Sequence, residues 1–160
     1  MQDKSKRQRI LISACLLGVH CRSDGKTKQD RRVTKLLDEA ICFLLCPEIL
    51  AGFSIPRDRI EIKGGDGEDV LDSKAKVFTE RGLDVTENIL KAAKVILDFC
   101  KQAKVKKAIF KERSPSCGKN FIYDGSFSGK IIKGKGVVTA LFQREGIEVI
   151  SEEEFAKQKR

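Results

Sequence analysis

Several signatures that would settle the class of this chain at once are missing from it. Its 160 residues contain a single histidine, which excludes a metal centre built from several imidazoles. None of its six cysteines is paired in a CxxC spacing, so zinc knuckles and thioredoxin-like dithiols are excluded as well. The apolar run Ile10 to Leu17 is halted by Gly18, His20 and Arg22, too soon for a membrane span or for the core of a secretory signal. Without such a signal a disulfide framework is the weaker reading of the cysteines, and a reducing, cytoplasmic setting with free thiols is expected. There is no internal repeat, no Pro-rich linker and no phosphate loop of the form GxxxxGKS or GxxxxGKT.

The chain does carry an excess of positive charge, +9 at neutral pH with a pI of about 9.3. Much of it sits at the ends, in Lys4, Lys6, Arg7 and Arg9 and in Lys157, Lys159 and Arg160. The expected organisation is a basic, flexible tail over residues 1–9, one α/β domain over residues 10–155 and a short basic tail over residues 156–160. Such charge suits solubility first. It also leaves open a basic nucleic-acid-binding protein, although no aromatic and basic motif of the RRM or KH kind accompanies it.

Strand-like and helix-like pieces alternate along the domain. Ile10 to Ala14 is a short apolar run that stops at Cys15, and the glycines, Ser23 and Asp24 that follow read as a loop. Val33 to Ala40 reads as a helix, and Ile41 to Leu45 as a buried strand that stops at Cys46 with Pro47 behind it. Thr86 to Ala103 is a helix with Thr86 as N-cap, because Ile89, Ala93, Ile96, Leu97 and Cys100 recur at the helical period. Ala108 to Phe110 is a third apolar run, opening into the turn Ser114, Pro115, Ser116, Cys117. Gly136 to Phe142 begins a helix, Gly146 ends it, Ile147 to Ile150 is a strand, and Ser151 with Glu154 forms a capping box.

Helical crossovers between apolar strands predict a single-domain three-layer sandwich with a mostly parallel sheet. In such sheets ligands bind at the carboxyl ends of the strands. Cys15, Cys46 and Cys117 each lie at or just beyond the end of such a run, so they can converge although far apart in sequence.

Three thiolates without a fourth fit an iron-sulfur cluster with one open iron, or a zinc ion that keeps a water in its fourth position. Packed core or loop cysteines and a nucleophilic cysteine are the other readings. Cys42, in the second run, and Cys100, on the apolar helix stripe, read as core packing. The acidic loop GGDGEDVLD, Gly64 to Asp72, reads as a tight turn whose carboxylates organise hydrogen bonds or face solvent.

The strings SACLLGVHCRSDGK, CPEILAGFSIPR, GGDGEDVLD, KERSPSCG and IYDGSFSG, followed by GKGVVTALF and GIEVISEEEF, occur in this order. Together they resemble the thiouracil desulfurases, formerly a family of unknown function. The resemblance runs through nearly the whole chain after the basic N-terminal segment. It implies a [4Fe-4S] cluster held by Cys15, Cys46 and Cys117, with one iron free to take the sulfur of 2-thiouracil or another thiolated pyrimidine. Water oxygen then replaces sulfur and sulfide is released. Cluster-assembly machinery is an implied partner, whereas thiolated RNA is disfavoured and no membrane is involved.

The resemblance also assigns roles beyond the ligands. Glu48 and Ser114 match the family's catalytic acidic and serine positions, Glu48 moving a proton to or from water and Ser114 orienting substrate or relaying the proton. Cys21, His20 and Arg22 are candidates for groups around the cluster, with Cys21 as fourth ligand if the cluster is structural and non-catalytic. Arg22 and Lys111 could contact a pyrimidine carbonyl. Two positions depart from the family pattern: Ser23 stands where a tyrosine is usual, and Ala51 interrupts paired glycines, changes that bear on pocket shape and stacking.

Overall fold

Four parallel strands frame the computed structural model, which describes residues 6–158. The outer residues of both expected basic tails, 1–5 and 159–160, lie outside the described residues. The strands are β1 (Arg9–Ser13), β2 (Ile41–Leu45), β5 (Lys107–Phe110) and β8 (Glu148–Ser151), in the spatial order β2-β1-β5-β8. Register is set by Ile10 opposite Cys42 on one side and Lys107 on the other, and by Ala108 opposite Val149.

The apolar run of β1 is continuous because this strand is central and covered on both faces. Leu11 joins one core, with Ile89, Ala93 and Ile96 of α5 (Thr86–Gln102) and Val138 and Phe142 of α6 (Val137–Arg144). Ile10 and Ile12 point the other way and pack with Val33, Leu36 and Phe155. Those three belong to α1 (Arg31–Thr34), α2 (Leu36–Glu39) and α7 (Glu152–Gln158). Helices on both faces give the three-layer α/β sandwich that the alternating pattern predicts.

Local signals hold in most places. Residues Ile89, Ala93, Ile96, Leu97 and Cys100 are all buried along α5. Ser151 and Glu154 form a reciprocal box: the Ser151 N–H donates to the Glu154 carboxylate at 3.0 Å, and the Glu154 N–H donates to the Ser151 hydroxyl at 3.1 Å. Gly146 takes a left-handed φ of 75° just after α6, where a side chain would be strained. In the glycine-rich loop, Asp66 and Asp69 cap the start of α4 (Gly67–Leu71). A methyl group at Gly67 would sit 2.3 Å from the Gly136 carbonyl oxygen, so that glycine permits two helices to meet.

Three expectations change. The helix expected over Val33 to Ala40 is two short turns, Arg31–Thr34 and Leu36–Glu39. Thr86 is the first helical residue, and Val85 takes the N-cap position. The Thr86 hydroxyl instead accepts the Val77 N–H of β4 (Lys76–Thr79), and the Asp84 carboxylate accepts the Thr86 N–H. Finally, β2 is an edge strand with one neighbour, so it is half-buried rather than buried, and Leu44 is 45% exposed. Cys42 is half-buried with it, its Sγ donating to the Leu36 carbonyl at 3.5 Å, whereas Cys100 is fully interior.

Candidate active site

The three strands β2, β1 and β5 end side by side, and the chain turns off each of them into a cysteine. Cys15 lies in the 3-10 turn Ala14–Leu17 after β1. Its carbonyl is pinned by the Lys28 N–H at 3.1 Å and the Thr27 hydroxyl at 2.8 Å. Cys46 follows β2 directly and caps α3 (Pro47–Leu50), whose first position is proline, the residue preset for a helix start.

Cys117 follows β5 in a polar turn, and that turn is organised by Ser114. The Ser114 hydroxyl accepts N–H bonds from Ser116 at 3.2 Å and Cys117 at 3.0 Å. The start of α6 clamps the same turn, with the Val137 and Val138 N–H groups donating to the Pro115 and Ser116 carbonyls, each at 2.9 Å. Gly136 makes the approach feasible, since a Cβ there would lie 2.4 Å from the Ser116 carbonyl carbon.

A second support is Glu112, which is 2% exposed. Burial favours its neutral form. The N–H groups of Asn120, Phe121 and Lys119, with the Asn120 side-chain amide, outweigh that and hold its carboxyl below the usual value. A carboxyl depressed in the fold stabilises above its unfolded value, about pH 4.3, and this contribution is lost as pH falls through the lower folded-state value. Glu112→Ala leaves buried donors without an acceptor, so urea denaturation at neutral pH is expected to show a loss of about 2–4 kcal/mol. That difference should shrink as the pH falls through the folded-state value.

Cys15, Cys46 and Cys117 line one cavity of about 650 Å³ together with Cys21. Cys21 is 3% exposed, and its carbonyl accepts the Cys46 thiol at 3.8 Å. The Cys21 thiol is raised above the ordinary value chiefly by the neighbouring Cys15 thiol, with the Cys46 thiol opposing and burial adding. The Cys46 thiol is raised by its bond with Cys21 and by burial. Burial pushes Cys117 up to about 12 against the opposing Ser13 hydroxyl. With the Cys46 and Cys117 thiols raised, thiolate ligation of a metal at these two positions must release protons.

The donor set is soft. Among the described residues no three His, Cys, Asp or Glu side chains form a group that could hold a single metal ion, whereas a tetrahedral zinc site needs its thiolates about 2.3 Å from one centre. A cavity lined by several thiols, with no imidazole among them, suits an iron–sulfur cluster.

Beside the thiols, Glu48 at the start of α3 forms an ion pair with Arg57. The Arg57 Nε and Nη2 both donate to Glu48 Oε2, Nε at 3.1 Å. Glu48 thus has a guanidinium partner to which the sequence reading gave no role. Ser116 Oγ donates to Glu48 Oε1 at 3.4 Å and lies 3.1 Å from Ser114 Oγ. Ser114 thus reaches Glu48 through Ser116.

The remaining candidates divide. Arg22 and Ser23 line the cavity, as does Tyr123, the single tyrosine of the chain. His20 is exposed, its Nδ1 lies 3.2 Å from the Gly25 carbonyl, and it is not part of the cavity lining. Lys111 lines the cavity but is held by Glu152 at 2.8 Å and the Glu112 carbonyl at 3.0 Å. Sequence reasoning left Arg57, Ser116 and Glu112 without roles, although each lies inside a string quoted for the family resemblance.

The family model of 2-thiouracil desulfurase matches residues 10–154. The chain belongs to the 2-thiouracil desulfurase family. Membership makes it an enzyme and its reaction class a desulfuration. A relative in the family's range, the uncharacterised protein YbbK of Bacillus subtilis (strain 168), is 48% identical over 145 residues, covering 91% of this chain and 96% of that protein. A solved structure of TudS, described as a [4Fe-4S]-dependent thiouracil desulfidase, superposes with a TM-score of 0.82 at 37% identity, covering 94% of this chain and 95% of that one. Among the described residues no helix is long and apolar enough to cross a membrane.

Proposed function

We propose that this protein removes sulfur from 2-thiouracil and related thiolated pyrimidines with a [4Fe-4S] cluster held by Cys15, Cys46 and Cys117. The observation that carries the proposal is one cavity, at the carboxyl ends of three parallel strands, that holds those cysteines together with a paired carboxylate and two hydroxyls. The overall change is thiouracil plus water to uracil plus hydrogen sulfide, with no net electron transfer. When bound, the cluster supplies a soft Lewis-acid iron for the thiocarbonyl sulfur, which makes the ring carbon more electrophilic.

The chain's own residues handle the water. Glu48 accepts a proton from the attacking water through its carboxylate and returns a proton toward the departing sulfur side. Ser116 and Ser114 form the short hydroxyl chain that orients this water or relays its proton. Arg22, Ser23 and Tyr123 border the space left for the pyrimidine ring. Cys21 lies between two ligands and packs against them without being needed as a fourth.

The test is an anaerobic assay of reconstituted protein against thiolated pyrimidines, nucleosides and tRNA, following thiocarbonyl absorbance and sulfide together. Free thiolated pyrimidines are expected to react with stoichiometric sulfide release, and tRNA more slowly. Salt-dependent RNA binding without sulfide release from any substrate would move the protein to the nucleic-acid-binding class, and full activity with zinc and no labile sulfide would replace the cluster.

A further inference from the structure

Glu48 sits on a helix of only four residues, Pro47–Leu50, which by itself does little to fix a flexible carboxylate. What fixes it is Arg57, nine positions on, whose side chain is 6% exposed against 15% for Glu48. Two donors of the guanidinium occupy one carboxylate oxygen, Oε2. The guanidinium is itself held by two backbone carbonyls, Cys21 from Nη2 at 2.9 Å and Ser54 from Nη1 at 3.3 Å. The Cys21 carbonyl also takes the Cys46 thiol at 3.8 Å. One planar fork therefore ties the carboxylate to the loop carrying Cys21 and to the segment after α3. A lysine ammonium, a point donor on a flexible stem, cannot reproduce these contacts.

We propose that Arg57 is the positioning residue of the reaction: by occupying Oε2 it fixes the Glu48 carboxylate so that Oε1, beside Ser116, is the oxygen that exchanges a proton with water. The inference rests on the reading of Glu48 as the proton-transfer group. Arg57 acts through Glu48, so its contribution exists only while Glu48 is present. A side chain that merely closed the loop at the Cys21 carbonyl would contribute regardless of residue 48. Non-additivity separates the two.

The experiment is a double-mutant cycle on anaerobically reconstituted protein, with iron and labile sulfide measured for every variant. Arg57→Ala is expected to keep its cluster, lower kcat roughly 100-fold, the scale set by misplacing a reacting group by about 1 Å, and change KM by no more than about three-fold, a misplaced group altering the chemical step and not uniform binding. Arg57→Lys should recover only part of the loss, and added guanidinium should restore turnover to Arg57→Ala but not to the Glu48→Ala, Arg57→Ala double variant. That double variant should be no slower than Glu48→Ala alone. Arg57→Ala with unchanged kcat beside a slow Glu48→Ala would overturn the inference and leave the Glu48 reading standing. So would an Arg57→Ala loss of equal size in the Glu48→Ala background, or a fall in turnover that only tracks lost iron. A fully active Glu48→Ala would sink both.

Discussion

Simultaneous alanine substitution of Cys15, Cys46 and Cys117 is expected to leave a folded protein that takes up no cluster and turns over no thiouracil. Reconstituted wild-type chain should carry about four irons and four labile sulfides, as a [4Fe-4S] cluster requires, and the triple variant essentially none. Each single substitution should impair assembly, because a ligand set of three has no spare. Folding should survive: the three side chains sit in turns beyond the strand ends, while Leu11, Ile12 and Ile109 carry the sheet core. Far-UV circular dichroism checks the fold, and iron and sulfide assays check the cluster. Cys21→Ala is the control. It should retain iron, since three thiols suffice and an open iron is what a thiocarbonyl sulfur needs. Loss of iron from Cys21→Ala equal to that from Cys46→Ala would make Cys21 a ligand and the cluster a saturated, non-catalytic one. An intact cluster in the triple variant would refute the ligand set outright.

The second large effect belongs to Glu48. Glu48→Ala should keep iron and sulfide at the wild-type level and lower kcat by about 10² to 10⁴-fold, the usual contribution of a positioned acid–base group and on the order of 3 to 5 kcal/mol. Cluster retention is expected because Glu48 bonds to Arg57 and Ser116, not to a thiol. Ser114→Ala should slow turnover less, and part of its effect should appear as weaker cluster retention, since its hydroxyl accepts the Cys117 N–H. Single-turnover kinetics on thiouracil, scaled to measured cluster content, separates the two effects. Full kcat/KM in both variants with the cluster present would remove proton transfer from these residues while leaving desulfuration itself untouched.

Much of this site could be read in advance because its parts are local. A short apolar run that stops at a cysteine announces a strand end, and the stops at Cys15 and Cys46 fall where β1 and β2 end. The period of Ile89, Ala93, Ile96 and Cys100 announces a helix face. Ser151 and Glu154 satisfy each other across three residues. Errors arose where a neighbour, not the local string, decides the outcome. Ile41 to Leu45 has the composition of a buried strand, yet β2 has a partner on one side only, so Leu44 meets solvent and Cys42 is half-buried. Thr86 is a good N-cap by type, but strand β4 passes close enough to take its hydroxyl.

By itself, then, the order of residues determined an α/β sandwich and three cysteines placed after strand ends, because hydrophobic period and turn residues are properties of short segments, while the carboxylate behind Cys46 was singled out by the family resemblance. Tertiary structure alone decided that Arg57 grips Glu48 while holding the Cys21 carbonyl, 36 positions away, and that Ser116 reaches Glu48 across 68. It also decided that His20 lies outside the cavity while Cys21, its neighbour in sequence, lies inside it. Such contacts depend on which strand ends the sheet order brings together and on how tightly α6 packs against the Cys117 turn through Gly136. The Arg57–Cys21 and Ser116–Glu48 contacts are long-range packing outcomes whose partners share no window short enough to have a period. Glu48 and Arg57, though nine positions apart, lie on no common helix or strand that would announce their pairing.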